Sequence, residues 1–413
     1  MSDAELARMF LSLVLLLSAA LAFGHLFERM RLPRVIGEIS GGLLLGPTVL
    51  GSVAPDAFRW IFFGFPAQPA LLSAFYWLGL VLLMFTAGFR VEPMLDRDDR
   101  KRIALLVVGS SVLPLACGWV IAPFLPRPDG ADPLAFTLVV AIAFAVTSIP
   151  VISRIFIDLN MMGGRFAKLT ISAATVQDLM LWILLAIATA LQQGGDADIN
   201  RLGKVVLVTA AFAAATLSLG PALLRFAGRL TIRRFTDASL TGYTLSVCLM
   251  FVTFASLLHV NIIFGALLAG LIIGRFPTNR FDPVKQRISD FAMWFFVPIY
   301  FAQVGLNLDL LSQFDGPLIA GFLATSSLVK AASIVMVMRA SGTGAAGALD
   351  FAVAMNTRGG PGIVLASVAH AAGIITEPFF ITLILASILT SLFAGVWFRR
   401  RLKTGATYGD QVA

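Results

Sequence analysis

Asp178, Lys330, Arg154 and Arg358 each fall inside a stretch of apolar sequence long enough to cross a bilayer. An ionisable group at that depth is costly to bury unpaired, and it marks an ion path or a proton relay by default. The chemistry open to this set is narrow. A carboxylate such as Asp178 holds either a proton or a monovalent cation, and competition at one group is the minimal physics of exchange. Burial suits that task, because desolvation disfavours the charged form of a carboxyl. Gln177 is adjacent and points about 100° away around a helix. It can orient a site but carries no proton. Thr147 and Ser148 offer oxygens, the ligand type that hard cations prefer.

Other chemistry is poorly supplied. The three histidines, His25, His259 and His370, form no HExxH pair. Cys117 and Cys248 lie far apart inside apolar runs and fit neither a metal spacing nor a disulfide framework. No Ser/His/Asp set or paired carboxylates suggest an enzyme, and the expectation is no cofactor and no metal beyond a monovalent cation at Asp178. Two other transport classes stay open. One is an organic-anion transporter with Arg154 and Arg358 as counter-ions. The other is a cation channel, although nothing like a potassium-channel filter sequence appears.

These residues need elements to hold them. Two stretches of three spans each, Ile103–Leu191 and Gly316–Phe398, resemble one another. The middle span of the first is interrupted at Val146-Thr147-Ser148-Ile149-Pro150, and that of the second at Asn356-Thr357-Arg358-Gly359-Gly360-Pro361-Gly362. Pro150 lies 47 residues after Ile103, and Pro361 lies 45 after Gly316. Proline removes a donor and clashes with the preceding turn. In lipid the freed backbone groups must find protein, water or ions. Gly/Pro-broken segments at matching places are the best sequence pointer to a transporter site. Half-helix ends there would turn partial charges toward the midplane.

Composition agrees. Of 413 residues, 58% are apolar and 13% charged, and the mean hydropathy is +0.89. A soluble domain carries about twice that share of charge. Thirteen apolar runs read as transmembrane helices, giving an all-α polytopic membrane protein. The first run is preceded by Asp3 and Glu5 and lacks a clear cleavage site, so it reads as a retained span. The net charge of +8 is explained by loops rather than by nucleic acid: 23 of the 31 Lys and Arg residues fall on one side and 5 on the other. By the positive-inside rule this predicts the N-terminus outside and the C-terminus cytoplasmic. A bacterial inner (plasma) membrane fits best.

The motifs, taken in order, resemble the monovalent cation:proton antiporters of the Kef type. Arg31-Leu-Pro-Arg-Val-Ile-Gly-Glu38-Ile-Ser-Gly-Gly with Leu45-Gly-Pro47 is similar to the family's opening signature. Leu78–Gly88 resembles its third span, and Thr147–Ile155 its first broken helix. Ala174-Thr-Val-Gln177-Asp178 resembles its ion-binding pair. Gly265–Gly270 and Phe296–Gly305 continue the match, and Met355-Asn-Thr-Arg358-Gly resembles the second broken helix as plant cation/proton exchangers carry it.

The resemblance implies the sodium/proton-antiporter fold, with inverted repeats and two crossed broken helices. It implies dimerisation spans near 6–53 and 203–276, core ion-transport spans near 71–192 and 288–400, and a homodimer in the bilayer. The substrates would be H⁺ and either Na⁺ or K⁺. Many relatives carry two acidic residues or Asn-Asp at the ion-binding pair; Gln177-Asp178 is the form of potassium-efflux members. One carboxylate favours electroneutral exchange, whereas release of a proton from Lys330 would make it electrogenic. Lys330 resembles a lysine that pairs with the acidic couple. Since Gln177 replaces its usual first partner, it is expected near Asp178 or a backbone carbonyl at a helix break. Arg358 and Arg154 are expected to lock the broken helices, by capping carbonyls or pairing with an acid such as Glu38. The chain ends at Ala413 soon after the last span, so a single membrane domain without a soluble C-terminal regulatory domain is expected.

Overall fold

The computed structural model of the protein describes residues 2–30, 32–89, 99–161, 164–192, 203–204, 207–216, 218, 220, 237–274 and 281–404. The described elements are helical. In chain order they are α1 (Asp3–Arg29), α2 (Arg34–Leu45), α3 (Leu50–Val53), α4 (Pro55–Phe62), α5 (Gln68–Phe89) and α6 (Arg100–Ile121). Then come α7 (Pro133–Ala145), α8 (Ile149–Asp158), α9 (Arg165–Gln192), α10 (Leu207–Thr216), α11 (Asp237–Leu257) and α12 (Ile262–Gly274). The last are α13 (Asp282–Phe291), α14 (Val297–Leu306), α15 (Gly316–Ala340), α16 (Ala345–Met355), α17 (Gly359–Ala371) and α18 (Glu377–Lys403). A π turn, Ala292–Phe296, joins α13 to α14.

Among the described residues nine helical stretches are long and apolar enough to cross a membrane. The other four apolar runs differ in kind. Two are broken helices, α7–α8 and α16–α17, and one is the short α12. The fourth, Val205–Ala227, is described chiefly as the short α10, and its other residues lie mostly outside the described ones.

The chain forms two compact units. The first comprises residues 1–26, 37–93 and 198–309; the second comprises 27–36, 94–197 and 310–413. The sequence reading grouped residues 71–89 and 288–306 with the core spans. In the structure they pack within the first unit.

The reason is close backbone approach inside the first unit. Lipid tails are as apolar as leucine, so membrane helices associate through packing of small residues rather than through a hydrophobic drive. A methyl group on Gly42 would collide with the Ala302 carbonyl, and one on Gly270 with the Phe85 carbonyl. These two contacts bring α14 against α2 and α12 against α5. A small core of Leu13, Leu16, Ala20, Phe62, Leu72 and Ile299 packs together with Ala302. Gln68 is fully buried and satisfied, donating to Ser12 Oγ at 2.7 Å and to the Ile61 carbonyl at 2.6 Å.

The second unit carries α6–α9 and α15–α18. Its helix starts are written in the sequence as a capping side chain followed by proline. Asp132 accepts from the backbone N–H of Leu134 (2.9 Å) and Ala135 (2.8 Å) ahead of α7. Asp315 accepts from Leu318 N (2.9 Å) ahead of α15, and Thr376 from Phe379 N (3.4 Å) ahead of α18. Each cap satisfies a donor that the helix itself cannot. Proline in the first turn loses nothing, because its missing N–H would have had no partner.

An aromatic cluster closes one end of this unit. The Phe166 ring lies 4.6 Å from Phe351, 5.5 Å from Phe156 and 5.9 Å from Phe398. Beside it Asp350, buried on α16, accepts from Trp397 Nε1 at 2.8 Å and from Arg401 Nη2 at 3.1 Å. This ties the first half of the second broken helix to the basic end of α18. Asp99 and Arg165 form a second tie, at 2.7 Å, between the starts of α6 and α9.

Candidate functional site

The site grows from the two breaks, which meet inside the second unit. Helix α7 stops at Ala145, and Val146 turns out of the helix at φ −57°, ψ 139°. Helix α8 resumes at Ile149. The other break runs from Asn356 to Arg358, between α16 and α17. The two segments bond to each other through the backbone, Ser148 N donating to the Thr357 carbonyl at 2.5 Å. Gly359 is needed here. It has φ +38°, and a side chain would collide with Ser148 and Val151. Pro150 and Pro361 occupy the first turns of α8 and α17 rather than the breaks. They help to start the second half-helices, where a missing donor costs least.

Each break frees backbone carbonyls in a place without bulk water, and such groups must be satisfied internally. At the end of α7 Lys330 does this. Its ammonium, fully buried, donates to the Ala145 carbonyl (2.5 Å), the Val146 carbonyl (2.8 Å) and Thr147 Oγ1 (2.8 Å). Three donors meet three acceptors, so the lysine is saturated. It also complements the negative end of the α7 dipole. None of its hydrogen bonds goes to Asp178, although the two groups lie within electrostatic reach.

Thr147 is the hub. Its hydroxyl lies 2.6 Å from Gln177 Oε1 and 2.7 Å from the Met355 carbonyl. A hydroxyl has one proton, so it donates to one of these at a time while accepting from Lys330. Gln177 is buried and holds the break from α9. Its Nε2 lies within hydrogen-bond distance of the Ser110 carbonyl (2.8 Å), Ser111 Oγ (3.0 Å) and the Ala145 carbonyl (2.9 Å), and its two hydrogens serve two of these at a time. Ser148 Oγ accepts from Val151 N at 3.4 Å and so starts α8.

Asp178 follows Gln177 on α9 and is half-buried. Among the described residues no donor bonds its carboxylate. Gln177, Thr147 and the carbonyls at the end of α7 are engaged with one another and with Lys330, while the one acid of the group keeps open lone pairs. That arrangement suits a ligand which comes and goes.

Arg358 departs from expectation. It caps no carbonyl and meets no carboxylate among the described residues: Nε, Nη1 and Nη2 are all buried without a hydrogen-bond partner. Its guanidinium carbon lies 5.3 Å from the centre of the Phe322 ring. That ring also packs edge-on against Phe144 (5.3 Å) and Phe379 (5.4 Å). A cation over an aromatic face gains about 0.5–2 kcal/mol, and this attraction draws the side chain away from the carbonyl ends. Its backbone is tied instead, the N–H to Thr390 Oγ1 at 3.3 Å and the carbonyl accepting from Gly362 N at 3.1 Å. Glu38 is buried on α2 in the first unit. The side chains of Pro150 and Arg154 lie outside the described residues.

Ser110, Ser111 and Asn356 also belong to this region and carry no expected role from the sequence. The serine pair had a signal, being two polar residues in the apolar run of α6. The carbonyls of Ala145, Val146 and Met355 had none, because main-chain ligands leave no mark in residue type.

Comparison with known proteins fits this geometry. The sequence profile described as sodium/hydrogen exchanger, transmembrane, matches residues 13–404. The Na⁺/H⁺ antiporter NhaS4 of Synechocystis is 28% identical over 92% of the chain and 94% of its own length. The Na⁺/H⁺-K⁺ antiporter GerN of Bacillus cereus is 26% identical over 92% of each chain. The chain spans about half the length of the Arabidopsis cation/H⁺ antiporters that it matches. In fold, it superposes on the sodium proton antiporter MjNhaP1 of Methanocaldococcus jannaschii with a TM-score of 0.63, covering 95% of this chain and 97% of that one at 15% identity.

Proposed function

From the premise that the chain belongs to the sodium/hydrogen exchanger family of multi-pass membrane transporters, we propose a single-carboxylate exchange cycle centred on Asp178. The protein is a secondary-active antiporter of monovalent cations and protons. In the proposed cycle Asp178 takes a cation on one side, releases it on the other and returns with a proton. Thr147 and Ser148 supply oxygens at the break, and Gln177 holds the break in place. Lys330 stays on the α7 carbonyls, so one charge is exchanged for one and the cycle is electroneutral.

One observation carries this reading. The lysine that could neutralise Asp178 is saturated by carbonyl and hydroxyl oxygens, while the carboxylate has no donor among the described residues. A single open acid is the simplest device on which two cations compete.

The second unit, with both broken helices, is proposed as the moving transport core, and the closely packed first unit as the dimerisation scaffold. Thirteen spans, an inverted repeat, the N-terminus outside, the C-terminus cytoplasmic and a homodimer in the inner membrane complete the proposal. The bias of basic residues supports the orientation. A second reading, transport of organic anions, draws on the unpartnered guanidinium of Arg358.

The test is collapse of an imposed ΔpH in proteoliposomes on adding K⁺, Na⁺ or choline, with Asp178→Asn as the paired control. Collapse by K⁺ or Na⁺, lost in the variant and insensitive to a clamped membrane potential, is expected. A ΔpH-driven flux that rises when the potential is clamped at zero would end the electroneutral version. Cation-independent flux that organic acids compete away would move the reading to Arg358.

A further inference from the structure

The two breaks present two carbonyl ends to the interior of the second unit, and they are treated differently. The end of α7 is filled by the ammonium of Lys330. The end of α16 has no such internal cation among the described residues. Its Met355 carbonyl takes the Thr147 hydroxyl, and the next side chain, Asn356, ends in a buried amide oxygen, Oδ1, with no donor. Buried acceptors without a donor are rare in native structures, and each calls for an explanation.

We propose that Asn356 Oδ1 is a ligand for the transported cation and a determinant of its selectivity. This rests on the exchange reading above. Position supports it. The Thr147 hydroxyl touches both Gln177 Oε1 and the Met355 carbonyl, and the next residues along those two segments are Asp178 and Asn356. The carboxylate and the neutral oxygen therefore flank one bridge. Chemistry supports it as well. A helix C-terminus attracts cations, and hard cations take oxygen ligands. An amide oxygen adds a ligand without adding charge or a titratable proton, so one-for-one exchange is preserved. Dipolar carbonyl oxygens are also the ligands with which potassium filters replace a hydration shell. K⁺-sized cations are thus the class that gains most from Asn356.

The same break leaves room. Gly360 is buried, yet a Cβ built there meets no atom within 4 Å. Glycine at this point keeps open a space that a larger side chain would take.

The test is the cation dependence of ΔpH-driven flux in wild type, Asn356→Ala, Asn356→Asp and Gly360→Ala, with K⁺ and Li⁺ as probes. Asn356→Ala is expected to raise the KM for K⁺ about tenfold, the scale of one lost ligand, with turnover at saturating K⁺ largely kept. Asn356→Asp restores an oxygen and is expected to recover the KM. Gly360→Ala is expected to leave the melting temperature unchanged and to lower the efficiency for K⁺ more than for Li⁺. An active wild type whose KM and K⁺:Li⁺ ratio survive both Asn356→Ala and Gly360→Ala overturns the proposal while leaving the exchange reading intact. A wild type without cation-driven flux ends the exchange reading instead. The K⁺-dependent rise in melting temperature then decides the ligand: its loss in Asn356→Ala supports the assignment, and its persistence, or its absence from the wild type, overturns it. Should Asn356→Ala fail to fold, Asn356→Ser carries the same measurements.

Discussion

The two compact units bury different things. The first is held by close backbone approach through glycine, as at Gly42 and Ala302, and among the described residues it buries fewer polar side chains than the second, Glu38 and Gln68 included. The second buries the two fully enclosed cations among the described residues, Lys330 and Arg358, together with the hydroxyl and amide groups of Thr147, Ser148 and Gln177. Close apolar packing is stiff, because dense interiors transmit strain rather than deform. Buried hydrogen-bonded groups can exchange partners without a large change in volume. The difference teaches where change is tolerated: steric substitutions should damage the first unit as a structure, and polar substitutions should damage the second as a device.

The largest effect is expected from Gly42→Val. The added carbons run into the Ala302 backbone, which cannot rotate away as a side chain could. Overpacking of this kind typically costs about 1–3 kcal/mol and more where backbone must move. Little folded protein is expected by size exclusion, while the molecules that do fold keep the wild-type KM. A normal yield with an altered KM would break the comparison, because it would make the first unit part of the device.

Lys330→Met tests the second unit. Methionine roughly keeps the volume and removes the three donors that satisfy the Ala145 and Val146 carbonyls and Thr147 Oγ1. Each buried acceptor left without a donor costs about 1–3 kcal/mol. A fall of several degrees in melting temperature is expected, with flux reduced further than the folded fraction explains. Unchanged stability would mean that water replaces the ammonium at the break.

Thr147→Val sharpens the same point at one atom. Valine is close in shape and cannot bridge Lys330, Gln177 and Met355. The expected loss is about 1–2 kcal/mol for one buried polar hub, with a raised KM for the cation. Thr147→Ser keeps the hydroxyl and should restore both. Failure of serine to rescue would assign the effect to the methyl group and so to packing.

Much of this was legible in the sequence, and the limits have physical causes. Asp178 and Lys330 stood out because an ionisable residue within an apolar span is conspicuous whatever surrounds it. The breaks showed because glycine and proline act on the backbone locally. The partition of the spans did not show: α5 belongs with α12 through Gly88 and Gly270, and small residues look alike wherever they occur. The resting place of Arg358 was missed for another reason. A charge suggests an opposite charge or a carbonyl, whereas this one lies over the Phe322 ring. Aromatic residues are too common in a membrane protein to mark such a partner.

The smallest effect sits at the start of the first broken helix. Asp132 satisfies two otherwise unbonded donors, those of Leu134 and Ala135, and Pro133 follows it in the first turn. Asp132→Ala should cost about 1 kcal/mol, the usual worth of an N-cap. The backbone N–H of Asp132 also donates to Gln192 Oε1 at 2.8 Å, a bond that alanine keeps, so the loop stays anchored to α9. The cap lies at the far end of α7 from Thr147, thirteen residues before Ala145, whose carbonyl opens the break. At 1.5 Å per residue that separates it from the break by about 20 Å. A lower melting temperature with an unchanged KM is therefore expected. If the KM moves as well, α7 transmits the state of its cap to its open end as a rigid rod, and the second unit is stiffer along its half-helices than its hydrogen-bonded interior suggests.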